Sequence, residues 1–202
     1  MAMSQKTLQK KREKKKQSRQ KTKSTQSVVI QPTHITYSRW PLYECWVPVG
    51  LWETGIGHVI VSRKSSLGDI AVSMYLVDVH CLGIKDCFIR LLSPSGYKDM
   101  LSHVIASTGE LQSVEASYAS TLVHKAKDYA MQIGFKPHPD FIKTQWMLKN
   151  IPIDETQQFI FGKDNKPFYV QGPNESQADV SRIMRTLQAR LEQDEYDYIV
   201  EV

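Results

Sequence analysis

Between Ile70 and Asp78 the chain is apolar or small on both alternating sets of positions: Ile70, Val72, Met74 and Leu76 on one, Ala71, Ser73, Tyr75 and Val77 on the other. Side chains of a strand alternate between its two faces, so a run of this kind cannot leave either face in water. It predicts a central strand buried on both sides. Its neighbours read as strands too. Tyr43–Val49 is rich in aromatic and β-branched residues, with Pro48 marking an edge or a bulge. Gly57–Lys64 follows a Gly55/Gly57 turn, Ser65–Asp69 makes the next turn, and Cys87–Leu92 supplies a further strand. Residues 43–92 are therefore expected to form a mainly antiparallel sheet of three or four strands with short connections.

Beyond residue 96 the period changes. Met100, Leu101, Val104 and Ile105 fall on one face of a short helix over Tyr97–Ser107, which Gly109 interrupts. Leu111, Val114, Tyr118, Leu122, Ala126, Tyr129 and Ile133 then recur at three- and four-residue spacings, predicting a long helix over about 111–133. Gly134 and Pro137 supply its stop. A shorter helix over Pro139–Asn150 would bury Phe141, Ile142 and Trp146. Gln158–Gly162 and Pro167–Val170 alternate on either side of an Asp164–Asn165 turn and predict a hairpin. Ser176 and Asp179 have capping-box spacing ahead of Val180, Ile183, Met184, Leu187 and Leu191, the apolar stripe of a last helix. The fold class is α+β: a central sheet packed by the long helix, with a C-terminal hairpin and helix.

Charge is distributed unevenly. The 202-residue chain has 26 Lys+Arg and 21 Asp+Glu, but residues 1–25 hold ten of the basic residues and only one acid, Glu13. That segment carries +9 and the remainder −4. Apart from Met1, Ala2, Met3 and Leu8 it has nothing to place in a core, so residues 1–26 are expected to be a disordered basic arm and 27–202 a single globular domain. Val28–Ile30 would make the first ordered contact. A tail of this density condenses onto polyanions, because each phosphate it neutralises releases a counterion. Lys10, Lys11, Arg12, Lys14, Lys15, Lys16, Arg19, Lys21 and Lys23 are the expected nucleic-acid contacts, with RNA the expected partner. Competing readings are a solubilising tail, a nuclear-import address over Lys10–Lys16 and an anionic-lipid binder, although the aromatic or leucine stripe of an interfacial helix is missing. No run approaches 18 apolar residues and no apolar stretch follows the lysines, so neither a membrane span nor a secretory signal is expected. Three cysteines fit a reducing compartment, cytoplasmic or, in a eukaryotic cell, nuclear.

Motifs of catalysis are scarce. Walker, GxGxxG, GxSxG and HExxH patterns are missing, as is any CxxC pair; Cys81 and Cys87 suit small buried residues. The unusual segment is Asp78-Val79-His80-Cys81-Leu82-Gly83, where a carboxylate and an imidazole follow the longest apolar strand. A buried carboxylate needs a partner. Asp78 and His80 could pair with neighbours or with Arg63 across the sheet, could mark the strand's emergence near Gly83, or could begin a metal site. Asp78 followed by Cys81-Leu82-Gly83 resembles the first strand and turn of ribonuclease H-like domains over those few residues; the helical glutamate and later strand aspartates of that pattern do not follow in order. Pro137-His138-Pro139-Asp140 is a second candidate, with Asp140 placed to cap the next helix. His124 and Asp128, one helical turn apart, are either a metal pair or a solvated face. The leading expectation is a non-enzymatic RNA- or ribosome-associated protein. The alternative is a metal-dependent hydrolase or nuclease using Asp78, His80, Asp86 and His138 or Asp140.

Overall fold

The computed structural model describes residues 33–200, which belong to one compact unit. The basic residues of the expected arm and the Val28–Ile30 contact lie outside the described residues. A short helix α1 (His34–Tyr37) leads into β1 (Leu42–Pro48), a single turn α2 (Leu51–Thr54), β2 (Ile56–Lys64), β3 (Ile70–Asp78) and β4 (Gly83–Leu92). Then come α3 (Pro94–Thr108), β5 (Leu111–Ser113), α4 (Ala116–Gln132), α5 (Phe141–Thr144) with a 3-10 turn at Gln145–Leu148, β6 (Phe168–Val170), α6 (Gln177–Gln188) and β7 (Asp197–Ile199).

The five-stranded sheet has the order β4-β3-β2-β1-β5 and is antiparallel throughout. Its central strand β3 is covered on both sides, as the doubly apolar run requires. One face packs Val59, Val61, Tyr75 and Val77 against Ala119, Leu122, Val123 and Ala126 of α4. The opposite face packs Ile60, Ile70, Val72 and Met74 against Tyr97 and Val104 of α3. Tyr75 is fully buried, and its hydroxyl is satisfied by donating to the Thr144 carbonyl at 2.7 Å. Burying a phenol is tolerable only with such a partner.

Three sequence expectations are corrected. The long helix starts at Ala116, not near 111, because Leu111–Ser113 is drawn into the sheet as the edge strand beside β1. The short helix after Pro139 breaks into α5 and a 3-10 turn; it buries Phe141, Thr144, Met147 and Leu148, while Ile142 is exposed and Trp146 half-buried. The C-terminal hairpin is reduced to its turn, where Lys163 and Lys166 form an antiparallel bridge with both amide hydrogen bonds made. Asp164 and Asn165 make the tight turn at φ of 53° and 63°, but Gln158–Gly162 adds no strand, and β6 instead pairs in parallel with β7. The alternating Phe159 and Phe161 are used as rings: Phe159 stacks on Trp52 and meets Tyr118 edge-on, and Phe161 stacks on Tyr129.

The last helix is as the sequence predicts. Ser176 Oγ accepts from the Asp179 amide and Asp179 accepts from the Ser176 amide, closing the capping box. Val180, Ile183 and Leu187 join Tyr169, Tyr196, Cys81 and Leu82 in a separate apolar cluster. No helix of the described residues is long and apolar enough to cross a membrane.

Candidate functional site around the Asp78 turn and its cationic cavity

β3 ends at Asp78, and residues 79–82 form a turn that leads into β4. His80 therefore leaves the strand and does not share a strand face with Asp78. The Asp78 carboxylate folds over the turn: Oδ1 accepts from the His80 amide at 3.0 Å and the Cys81 amide at 2.8 Å. Burial raises the pKa of Asp78 above the ordinary aspartate range, opposed by the Cys81, Leu82 and His80 amides and by the nearby Lys85 charge.

This turn is a junction. The Val79 amide donates to Gly55 O, while Val79 O accepts from Gly162 and His80 O accepts from Phe168, drawing three separate loops onto four residues. Tyr129 of α4 also donates to His80 O, at 3.3 Å. The His80 ring lies against Gly55 so closely that a β-carbon there would sit 2.1 Å from Nδ1, and its Nε2 is 3.1 Å from the Trp52 carbonyl.

Arg63 is not the partner of Asp78. Its guanidinium donates to the carbonyls of Trp40, Met147 and Lys149, tying the far end of β2 to the 3-10 turn. This corrects the pairing across the sheet. The carbonyl groups at the end of a short helix need donors, and a planar fork with five N–H groups meets several at once.

Beside the turn lies a cavity of about 520 Å³. The register between β3 and β4 slips after Leu76, so that Leu76 faces Asp86 while Val77 faces Ile84, and Lys85 is the extra residue. The bulge turns Lys85 toward Glu175, whose Oε1 is 2.6 Å from Nζ. Glu175 Oε2 accepts from the Tyr169 hydroxyl at 2.7 Å and the Gly172 amide at 2.9 Å. Burial acts to raise the pKa of Glu175, yet Lys85, the Gly172 amide and the Tyr169 hydroxyl together hold it below the usual range. Lys136, His138 and Arg182 also line it, over apolar walls that include Leu82, Ile84, Phe135 and Ile183.

The candidates from the sequence are only partly brought together. His138 Nε2 lies 3.8 Å from Asp86 Oδ1, and His138 Nδ1 accepts from the Asp140 amide at 3.3 Å. Asp140 occupies the N-cap position of α5 without a capping hydrogen bond; its carboxylate takes Lys143 Nζ at 2.9 Å instead. Asp78 and His80 are held in the turn and contribute to neither contact. His124 turns its ring back onto the Ser120 carbonyl, and exposed Asp128 pairs with Lys127, the solvated-face arrangement. All three cysteines are free and buried, and burial pushes the Cys45 thiol up to about 11. No group of three or more His, Cys, Asp or Glu among the described residues is placed to hold a metal ion. Sequence reasoning missed Lys85 and Glu175, ninety residues apart; Lys85 reaches its partner only through a bulge that carries no sequence signal of its own.

The Lys85–Glu175 contact gives a pH prediction. An unfolded glutamate takes up its proton near 4.5, and the folded one only at lower pH. As pH falls through that window the unfolded state binds more protons, so the stability supplied by Glu175 is present above it and lost in acid. Glu175→Gln is expected to cost about 2 kcal/mol at pH 7, less than a fully buried pair, and to flatten the acid limb of stability against pH. Urea unfolding from pH 3 to 7 checks both; parallel acid limbs would show that the pair contributes nothing.

Compared with family models, curated proteins and solved structures, the chain matches none.

Proposed function

We propose that this chain is a non-enzymatic nucleic-acid-associated protein whose partner is RNA, free or within ribosomal particles, held through Lys10, Lys11, Arg12, Lys14, Lys15, Lys16, Arg19, Lys21 and Lys23. The observation that carries this reading is the partition of charge: +9 on residues 1–25 against −4 on the rest. The body opposes non-specific polyanion binding, so affinity must come from the basic segment.

A metal-dependent hydrolase centred on Asp78 and His80 is supported less well. Its leading carboxylate is committed to amides of its own turn, and Asp78, His80, Asp86, His138 and Asp140 do not converge. The test is ultraviolet crosslinking of the full-length chain to cellular RNA. Recovery is expected to fall at least about tenfold when Lys10, Lys11, Arg12, Lys14, Lys15 and Lys16 are replaced by glutamine, because several released counterions are forfeited at once. Undiminished recovery would defeat the proposal.

A further inference from the structure

A second cavity, of about 500 Å³, opens on the sheet face that α3 crosses, away from the Asp78 turn. The strand register builds its floor: Met74 of β3 sits opposite Phe88 of β4, and Val72 opposite Arg90. α3 supplies the opposite wall with Met100 and Val104. Two thioethers and a phenyl ring make an apolar, adaptable lining, since methionine side chains repack readily around what they contact.

The titratable groups lining this cavity, His58, Arg90 and His103, are all basic, and the Ser107 hydroxyl is spent on the Val104 carbonyl. His58 reaches it from β2 with its Nδ1 buried and without a hydrogen-bond partner in the protein. A buried nitrogen left unpaired is costly, and such atoms in native proteins call for an explanation. The Arg90 guanidinium is held 4.9 Å from the centroid of the Phe88 ring, and no carboxylate among the described residues pairs with it. His103, at the rim, has Nδ1 2.6 Å from the Asp99 carbonyl, which makes that nitrogen the donor and leaves Nε2 free of it. No aspartate or glutamate lines the cavity, and the Asp86 charge acts on His58 from outside it.

We propose that this cavity is a binding site for a small amphipathic organic anion, a carboxylic or sulfonic acid with an aromatic or aliphatic body. The body lies between Met74, Phe88, Met100 and Val104, and the anionic head accepts from Arg90 at one end of the cavity; His58, in the strand row of Leu76, lines the other end. Apolar walls with a charged group at one end are the pattern of small-molecule sites in general. Charge complementarity selects the sign of the ligand: a guanidinium stacked on an aromatic ring is pre-oriented for an oxyanion and repels a cation. This site is independent of the N-terminal segment and of the RNA-binding proposal.

The probe is 8-anilinonaphthalene-1-sulfonate, titrated against the full-length chain by fluorescence. Saturable one-site enhancement is expected. Arg90→Gln, at an exposed position that does not threaten folding, should raise Kd by about tenfold or more through loss of a charge-assisted contact. Arg182→Gln, in the other cavity, should leave it unchanged. Retained circular dichroism in Arg90→Gln separates loss of the site from loss of the fold. Absence of saturable binding, or the same Kd in Arg90→Gln as in the wild type, overturns the proposal, as does a Kd that moves instead with Arg182→Gln.

Discussion

Gly83→Ala is expected to remove about 3–4 kcal/mol from the folding free energy, among the largest losses any single methyl group can cause here. Gly83 opens β4 at φ +65°, where an L side chain is strained by about 1–2 kcal/mol. Its β-carbon would also lie 2.6 Å from Ala130 Cβ and 2.8 Å from Ala126 O. The second obstacle is backbone of α4 and cannot rotate away, so helix and sheet must separate. Because α4 covers the core face carrying Tyr75 and Val77, the displacement reaches the centre of the molecule. Gly68→Ala is the internal control: at φ +96° the conformational strain is present, but nothing lies within 4 Å of the added carbon. Urea denaturation should therefore give a loss at Gly83 at least about 2 kcal/mol larger than at Gly68. Equal losses would mean that α4 does not press on the start of β4.

Asp78→Ala is expected to cost about 3 kcal/mol, and Asp78→Asn only about 1. Alanine leaves the His80 and Cys81 amides without their acceptor inside a turn onto which the loops carrying Gly55, Gly162 and Phe168 converge. Asparagine keeps an acceptor oxygen at the same place and relieves the cost of burying a charge. A metal ligand would behave differently. Asp78→Asn would then leave the metal-free protein as stable as before and abolish stabilisation by magnesium or manganese, which acts through preferential binding to the native state. Thermal melts of both variants with and without each metal separate the two. Metal-dependent stabilisation of the wild type that vanishes in Asp78→Asn would restore the hydrolase.

Much of the framework is legible from local pattern. The doubly apolar Ile70–Asp78 segment is the buried central strand, the Ser176–Asp179 box starts α6, and Gly134, at φ +99°, follows the end of α4. What local pattern hides is pairing between distant segments. Leu111 continues a helical spacing, yet it is held at the sheet edge by pairing with Pro48, 63 residues earlier. Phe159 and Phe161 alternate as a strand would, but their rings are taken by Trp52, Tyr118 and Tyr129, and β6 finds its partner thirty residues later in β7.

The site shows the same division. The charge at Asp78 stands out against its apolar neighbours and does require partners, but they are amides of the following turn, created by the turn itself, and not Arg63. His58 gives no warning in the sequence, since its unpartnered nitrogen results from where α3 crosses the sheet.

The central claim, that the basic segment holds a polyanion while the body does not, is tested most directly by the salt dependence of RNA affinity. For a single-stranded RNA the logarithm of the binding constant should fall linearly with the logarithm of salt concentration, with a slope of up to about −7 if all ten basic residues of 1–25 engage phosphates. Between 50 and 200 mM salt a slope of −7 is a loss of about four orders of magnitude. A chain beginning at residue 26, with a net charge of −4, should bind weakly with a slope near zero. Equal slopes for the two chains would contradict the account, because the phosphate contacts would then belong to the folded body.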